Sequence, residues 1–156
     1  MQPDYFRRPR LWPKFAEQGY PKAFAPILLV GLLGLFLSGA LLIPVLLTYR
    51  WELDLPWVPR GGWRQGITAV HHIAGYWVVG LAGALWIVHA RAGLLRRQRH
   101  HSGRALLGLI LMLLFSVPLL LYLSDETLLT WAATAHTLAG LGLLMMFLAH
   151  AWPRHR

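Results

Sequence analysis

The chain contains no cysteine. That absence removes disulfide bridges, cysteine-ligated iron–sulfur clusters and the thioether attachment of c-type haem. Charge is scarce too, at 13% of 156 residues against about 25% in an ordinary soluble domain. The scarcity is one-sided, with six acidic residues against fifteen basic ones. None of the acidic residues falls inside the long apolar stretches of the chain, which counts against a transporter built on membrane-depth carboxylates.

What is present is apolar residues, 56% of the total. They gather into four uncharged runs at residues 24–48, 65–90, 105–124 and 127–152. Each reaches the ~20 residues that a helix needs to cross a bilayer. The expected fold is all-α, an integral membrane four-helix bundle over residues 24–152 with no soluble domain. Residues 1–23 form a basic, aromatic leading segment and residues 153–156 a short basic tail. The leading segment does not read as a secretory signal, because the apolar run after it is too long and no small-residue cleavage site follows.

The net charge of +9 raises the question of nucleic acid, and the placement of the charges answers it. Five basic residues precede the first run, five lie between the second and third (Arg91, Arg96, Arg97, Arg99 and Arg104), and Arg154 and Arg156 follow the fourth. The other two connections hold only Arg50, Arg60 and Arg64. Twelve against three is the asymmetry of a membrane protein obeying the positive-inside rule. It predicts a multi-pass protein of a bacterial inner membrane with both termini cytoplasmic, a lipid bilayer as its surroundings and no nucleic-acid partner.

The runs look like a duplicated helical hairpin. Gly34 precedes Pro44 by ten residues in the first, as Gly108 precedes Pro118 in the third. The second and fourth share H-x-x-A-G, at His71-His72-Ile73-Ala74-Gly75 and His136-Thr137-Leu138-Ala139-Gly140. Two hairpins entering from one side would make helices 2 and 4 parallel and set their histidines at matching depths. The prolines predict kinks, tolerated in membrane helices where neighbours re-satisfy the backbone. The 49–65 connection, rich in tryptophan and proline, suits an interfacial layer or a docking surface for a partner.

Histidine at membrane depth is costly and reads by default as functional. His71 and His89 lie 18 residues apart, about five helical turns, and so share a face, whereas His72 falls about 100° away from His89. His136 and His150 lie 14 residues apart, about four turns and roughly 21 Å, again on one face. Four such residues on two helices point to cofactors held between the helices by imidazole, a ligand that suits iron. Small residues beside them, Gly75 and Gly140 foremost, would give a flat macrocycle room. Gly80, Gly83 and Gly142 would extend that room, while Gly31, Gly34, Gly39 and Gly108 would let the other walls approach. Glycine in membrane helices also serves plain packing. His72 reads as interfacial, and His100, His101 and His155 as solvated members of basic segments.

This pattern resembles the haem-bearing bundle of cytochrome b in quinol-oxidising complexes and, more loosely, the small four-helix cytochrome b subunits of membrane dehydrogenases and reductases. The resemblance covers about residues 24–152 and rests on H-x-x-A-G, the paired spacing and the glycines. It implies two b haems, His71 with His136 on the outer side and His89 with His150 on the inner. It implies electron transfer between a quinone pool and a periplasmic redox subunit or cytochrome. The family keeps 14 residues on both helices, and here helix 2 has 18. The extra turn, about 6 Å, must be absorbed by tilt or a bend, or else the inner haem takes another ligand or is absent, leaving one. Asp125 and Glu126 are candidate proton acceptors for quinol beside the outer haem, or caps of helix 4. Two other readings compete: a cofactor-free membrane anchor of a larger complex, and a metal or proton transporter using histidine relays.

Overall fold

A computed structural model of the chain describes residues 20–86 and 100–151. Four helices follow one another: α1, Phe24–Arg50; α2, Gly61–Leu85; α3, His100–Tyr122; and α4, Glu126–Ala151. All four are long and apolar enough to cross a membrane. With no water to satisfy them, backbone groups in such segments must pair within the helix, and uninterrupted helix is the outcome. The chain thus forms an all-α four-helix bundle.

The helices outrun the apolar runs at several ends. Helix α2 begins at Gly61, before the expected start at Gln65. Helix α3 begins at His100, before the expected Ala105, so that His101 and Arg104 are helical. Hydropathy marks the part of a helix that lies in lipid, and a helix can run on into polar sequence beyond it. Helices α1 and α3 continue through Pro44 and Pro118. Gly61 opens α2 at φ +53°, a left-handed conformation that glycine adopts without penalty.

Helix α1 packs along α2 and α3 along α4, the two hairpins expected, and α1 touches α4 over a shorter stretch. Helices α2 and α4 are not a closely packed pair. The bundle has two distinct ends. At the terminal end α1 and α3 begin and α2 and α4 finish; at the loop end lie the 51–60 and 123–125 connections.

The terminal end holds the tightest core. Tyr20, Phe24, Leu28 and Leu32 are buried there, the last three repeating every four residues on one face of α1. They meet Val78, Leu81 and Leu85 of α2 and Phe147 of α4. Tyr20 stacks on Phe24 at 4.4 Å, and its hydroxyl donates to the Ala84 carbonyl at 3.1 Å. Gly31 is a packing glycine, since a Cβ on it would lie 2.7 Å from Trp77 Cδ1. At the loop end the first connection is tied to α4. The Trp51 indole N–H donates to Thr134 Oγ1 at 3.0 Å, and its ring meets Trp131 edge-on at 5.3 Å. Arg50, in the last turn of α1, pairs with Glu126 in the first turn of α4, each at the helix end its charge favours.

Large apolar side chains cover the outside, among them Val30, Ile73, Tyr76, Phe115, Leu138 and Met145, and no residue of α2 is buried. In water this would be an aggregating surface; in lipid it is the expected exterior.

Candidate cofactor site

His71 is the tenth residue after the first of α2, and His136 the tenth after the first of α4. Both therefore lie about 15 Å along parallel helices from the loop end. Across the space between those helices the two imidazoles meet, with ring centroids 6.3 Å apart and planes at 75°. Both side chains are partly buried.

Each ring is held by a serine from the preceding helix. Ser38 Oγ of α1 lies 3.1 Å from His71 Nδ1, and Ser116 Oγ of α3 lies 2.7 Å from His136 Nδ1. The arrangement follows the two-hairpin plan, but in a different register from the Gly34/Pro44 and Gly108/Pro118 match. Ser38 stands six residues before Pro44 and Ser116 two before Pro118, an offset of one helical turn. Gly39 completes the seat of His71, since a Cβ there would lie 3.2 Å from the ring's Cε1. The serines carry the signal that sequence reasoning passed over: hydroxyls inside uncharged apolar runs, on the helices preceding those that carry the histidines.

The glycines divide into two kinds. A Cβ on Gly34 would reach Ala74 Cβ at 3.8 Å and one on Gly142 would reach Leu109 Cδ2 at 3.5 Å, both ordinary contacts across to the neighbouring helix. Gly75 and Gly140 follow the histidines by one turn. A Cβ on Gly140 would meet nothing within 4 Å, and one on Gly75 only Leu35 Cδ1 at 3.9 Å. Gly80, Gly83 and Gly108 also face open space.

The remaining histidines are arranged differently. His72 is exposed, as is His101 in the first turn of α3. His150 of α4 sits 2.9 Å, Nδ1 to Oγ, from Ser102 of α3. His89, expected opposite His150, lies outside the described residues, as does His155. Both loop-end carboxylates are engaged in structure: Asp125 Oδ1 accepts the Leu128 backbone N–H at 2.8 Å as the N-cap of α4, and Glu126 is paired with Arg50.

The donor set bears on which cofactor fits. Among the described residues no three histidine or acidic side chains converge as a metal cage would require. Two imidazoles do converge, and two axial nitrogens are what a haem asks of a protein, because the macrocycle supplies the other four. An imidazole nitrogen stands roughly 2 Å from its metal, with the ring centre about 1 Å behind it. Two rings sharing one ion through their outer nitrogens would have centres about 6 Å apart; the observed centres are 6.3 Å apart in an edge-on ring contact. Comparison of the chain with family models, with characterised proteins and with solved structures finds no match.

Proposed function

We propose that this chain is the haem-bearing, electron-carrying membrane subunit of an oxidoreductase complex, similar in plan to cytochrome b. The observation that carries the reading is the facing pair His71 and His136, two imidazoles at one depth with ring centres at the separation of two axial ligands. A b haem held there would supply one-electron exchange, the chemistry of electron transfer. His71 and His136 would hold it, Gly75 and Gly140 would give it room, and the apolar helices would exclude water. His89 with His150 would hold a second haem about 21 Å deeper, giving a path across the membrane.

The chain sits in a bacterial inner membrane with both termini cytoplasmic, by its charge asymmetry. The His71–His136 pair is then nearer the outer face, where the 49–65 connection would meet a periplasmic redox partner. Quinol in the bilayer is the proposed donor. An apolar groove of about 740 Å³, lined by Gly34, Ser38, Gly62, Trp63, Gly66 and Ile67, runs between α1 and α2 beside Ser38 and is of small-molecule size. Absorption spectra of the purified protein before and after dithionite test the reading. It predicts the sharpened bands of a reduced bis-histidine b haem, and a protein purified with no extractable haem would overturn it.

A further inference from the structure

Ser38 and Ser116 are the buried polar side chains among the described residues, at 4% and 6% exposure. Each has more oxygen and nitrogen neighbours than one hydroxyl proton can serve. Ser38 Oγ lies 2.6 Å from the Gly34 carbonyl, 3.1 Å from that of Leu35 and 3.1 Å from His71 Nδ1. Ser116 Oγ lies 2.7 Å from the Leu113 carbonyl and 2.7 Å from His136 Nδ1.

A backbone carbonyl only accepts, and a serine hydroxyl has a single proton to give. Oxygen–oxygen separations of 2.6 and 2.7 Å are those of O–H···O bonds. Without a proton between them, two oxygens so close would set lone pair against lone pair. Each serine proton is therefore spent on its own helix, and towards the imidazole each Oγ can only accept. The imidazole must donate, so Nδ1 carries the ring proton. A neutral imidazole has one N–H, which leaves Nε2 as a bare lone pair on both rings.

We infer that Ser38 and Ser116 are positioning residues that lock both site histidines in the Nδ1–H tautomer and present both Nε2 atoms as ligands. The serines do this from two helices, in the same way, though they stand one turn apart in the duplicated pattern. The consequence for a metal cofactor rests on the haem reading, whereas the tautomer itself does not. Partners that fix the second nitrogen of a ligand histidine orient the ring and raise its basicity. A more basic axial ligand favours the ferric state, so removing the partner raises the midpoint potential.

The test is nitrogen-15 NMR of histidine-labelled full-length protein in lipid nanodiscs, prepared without haem, with resonances assigned by single His71→Ala and His136→Ala variants. The expected spectrum shows protonated, pyrrole-type Nδ1 and bare, pyridine-type Nε2 for both residues. Ser38→Ala and Ser116→Ala should each turn their own histidine into a tautomer mixture, and Ser→Thr at the same positions should restore Nδ1–H. Haem added to these samples should bind the alanine variants about 10-fold more weakly, at a higher midpoint potential, with threonine recovering both. Wild-type rings protonated at Nε2, or rings whose tautomer ignores the serine changes, would overturn the inference. Nδ1–H rings that bind no added haem would leave the serine assignment standing and overturn the haem reading instead.

Discussion

The two halves of this bundle solve different problems with similar helices. At the terminal end aromatic and aliphatic side chains close the space between α1, α2 and α4, with Tyr20, Phe24, Leu28 and Leu32 buried against Phe147 and their neighbours. Nearer the loop end α2 and α4 meet through polar groups: two imidazoles, each on a buried serine, with Gly75 and Gly140 one turn further along. Helix association in lipid draws on packing and interhelical hydrogen bonds, because lipid is as apolar as the helices themselves. The terminal half relies on packing. The other half sets two imidazoles between α2 and α4, on the buried Ser38 and Ser116 and near the buried Ala139, and it is tied at the loop end by the Trp51–Thr134 and Arg50–Glu126 contacts. That difference is why the proposed cofactor is assigned to the loop-end half.

That contrast can be broken with five substitutions, in descending order of effect. His136→Ala removes a donor from the loop-end half and should abolish haem at that level, read as loss of one haem per chain with the helical circular dichroism intact. Gly140→Leu should come next. Its side chain enters space where nothing lies within 4 Å, so it should displace most of the haem while leaving the apoprotein's Tm unchanged. Gly142→Leu, driven against Leu109, should instead lower the Tm. Leu32→Ala in the terminal half should destabilise by about 2 kcal/mol, as cavities in packed cores do, and leave the haem spectrum of the remaining folded protein unaltered. Glu126→Gln should be smallest, within about 0.5 kcal/mol for an ion pair with an exposed partner, detected as a slight fall in Tm that vanishes in high salt. A haem loss from Leu32→Ala as large as that from His136→Ala would erase the distinction between the halves.

Much of this architecture was legible in the residues because lipid imposes simple rules. Four uncharged runs became four helices, and a 100° step per residue separated His71 from His72, which ended on different surroundings. Helix ends were less legible: α2 starts in Gly-Gly-Trp-Arg and α3 in His-His-Ser-Gly, where composition marks the departure from lipid and not the end of the helix. Gly142, expected to give room, instead faces Leu109, while Gly108, expected to let a wall approach, faces open space; no spacing along one helix reveals such neighbours. The serines were hidden for a related reason. Aligning α1 with α3 on glycine and proline puts Ser38 opposite Met112 and Ser116 opposite Leu42, and only the cross-helix contact to each histidine shows that they do the same work. Asp125 and Glu126 read first as caps of helix 4, with proton transfer as the alternative, and Asp125 does cap α4 through Leu128 while Glu126 pairs with Arg50.

The most direct test of the central claim is a pyridine haemochrome count on the purified wild-type chain beside His71→Ala and His136→Ala. The account predicts b-type haem in the wild type and one haem fewer per chain in each variant. Equal haem in all three proteins, or none in the wild type, would contradict it.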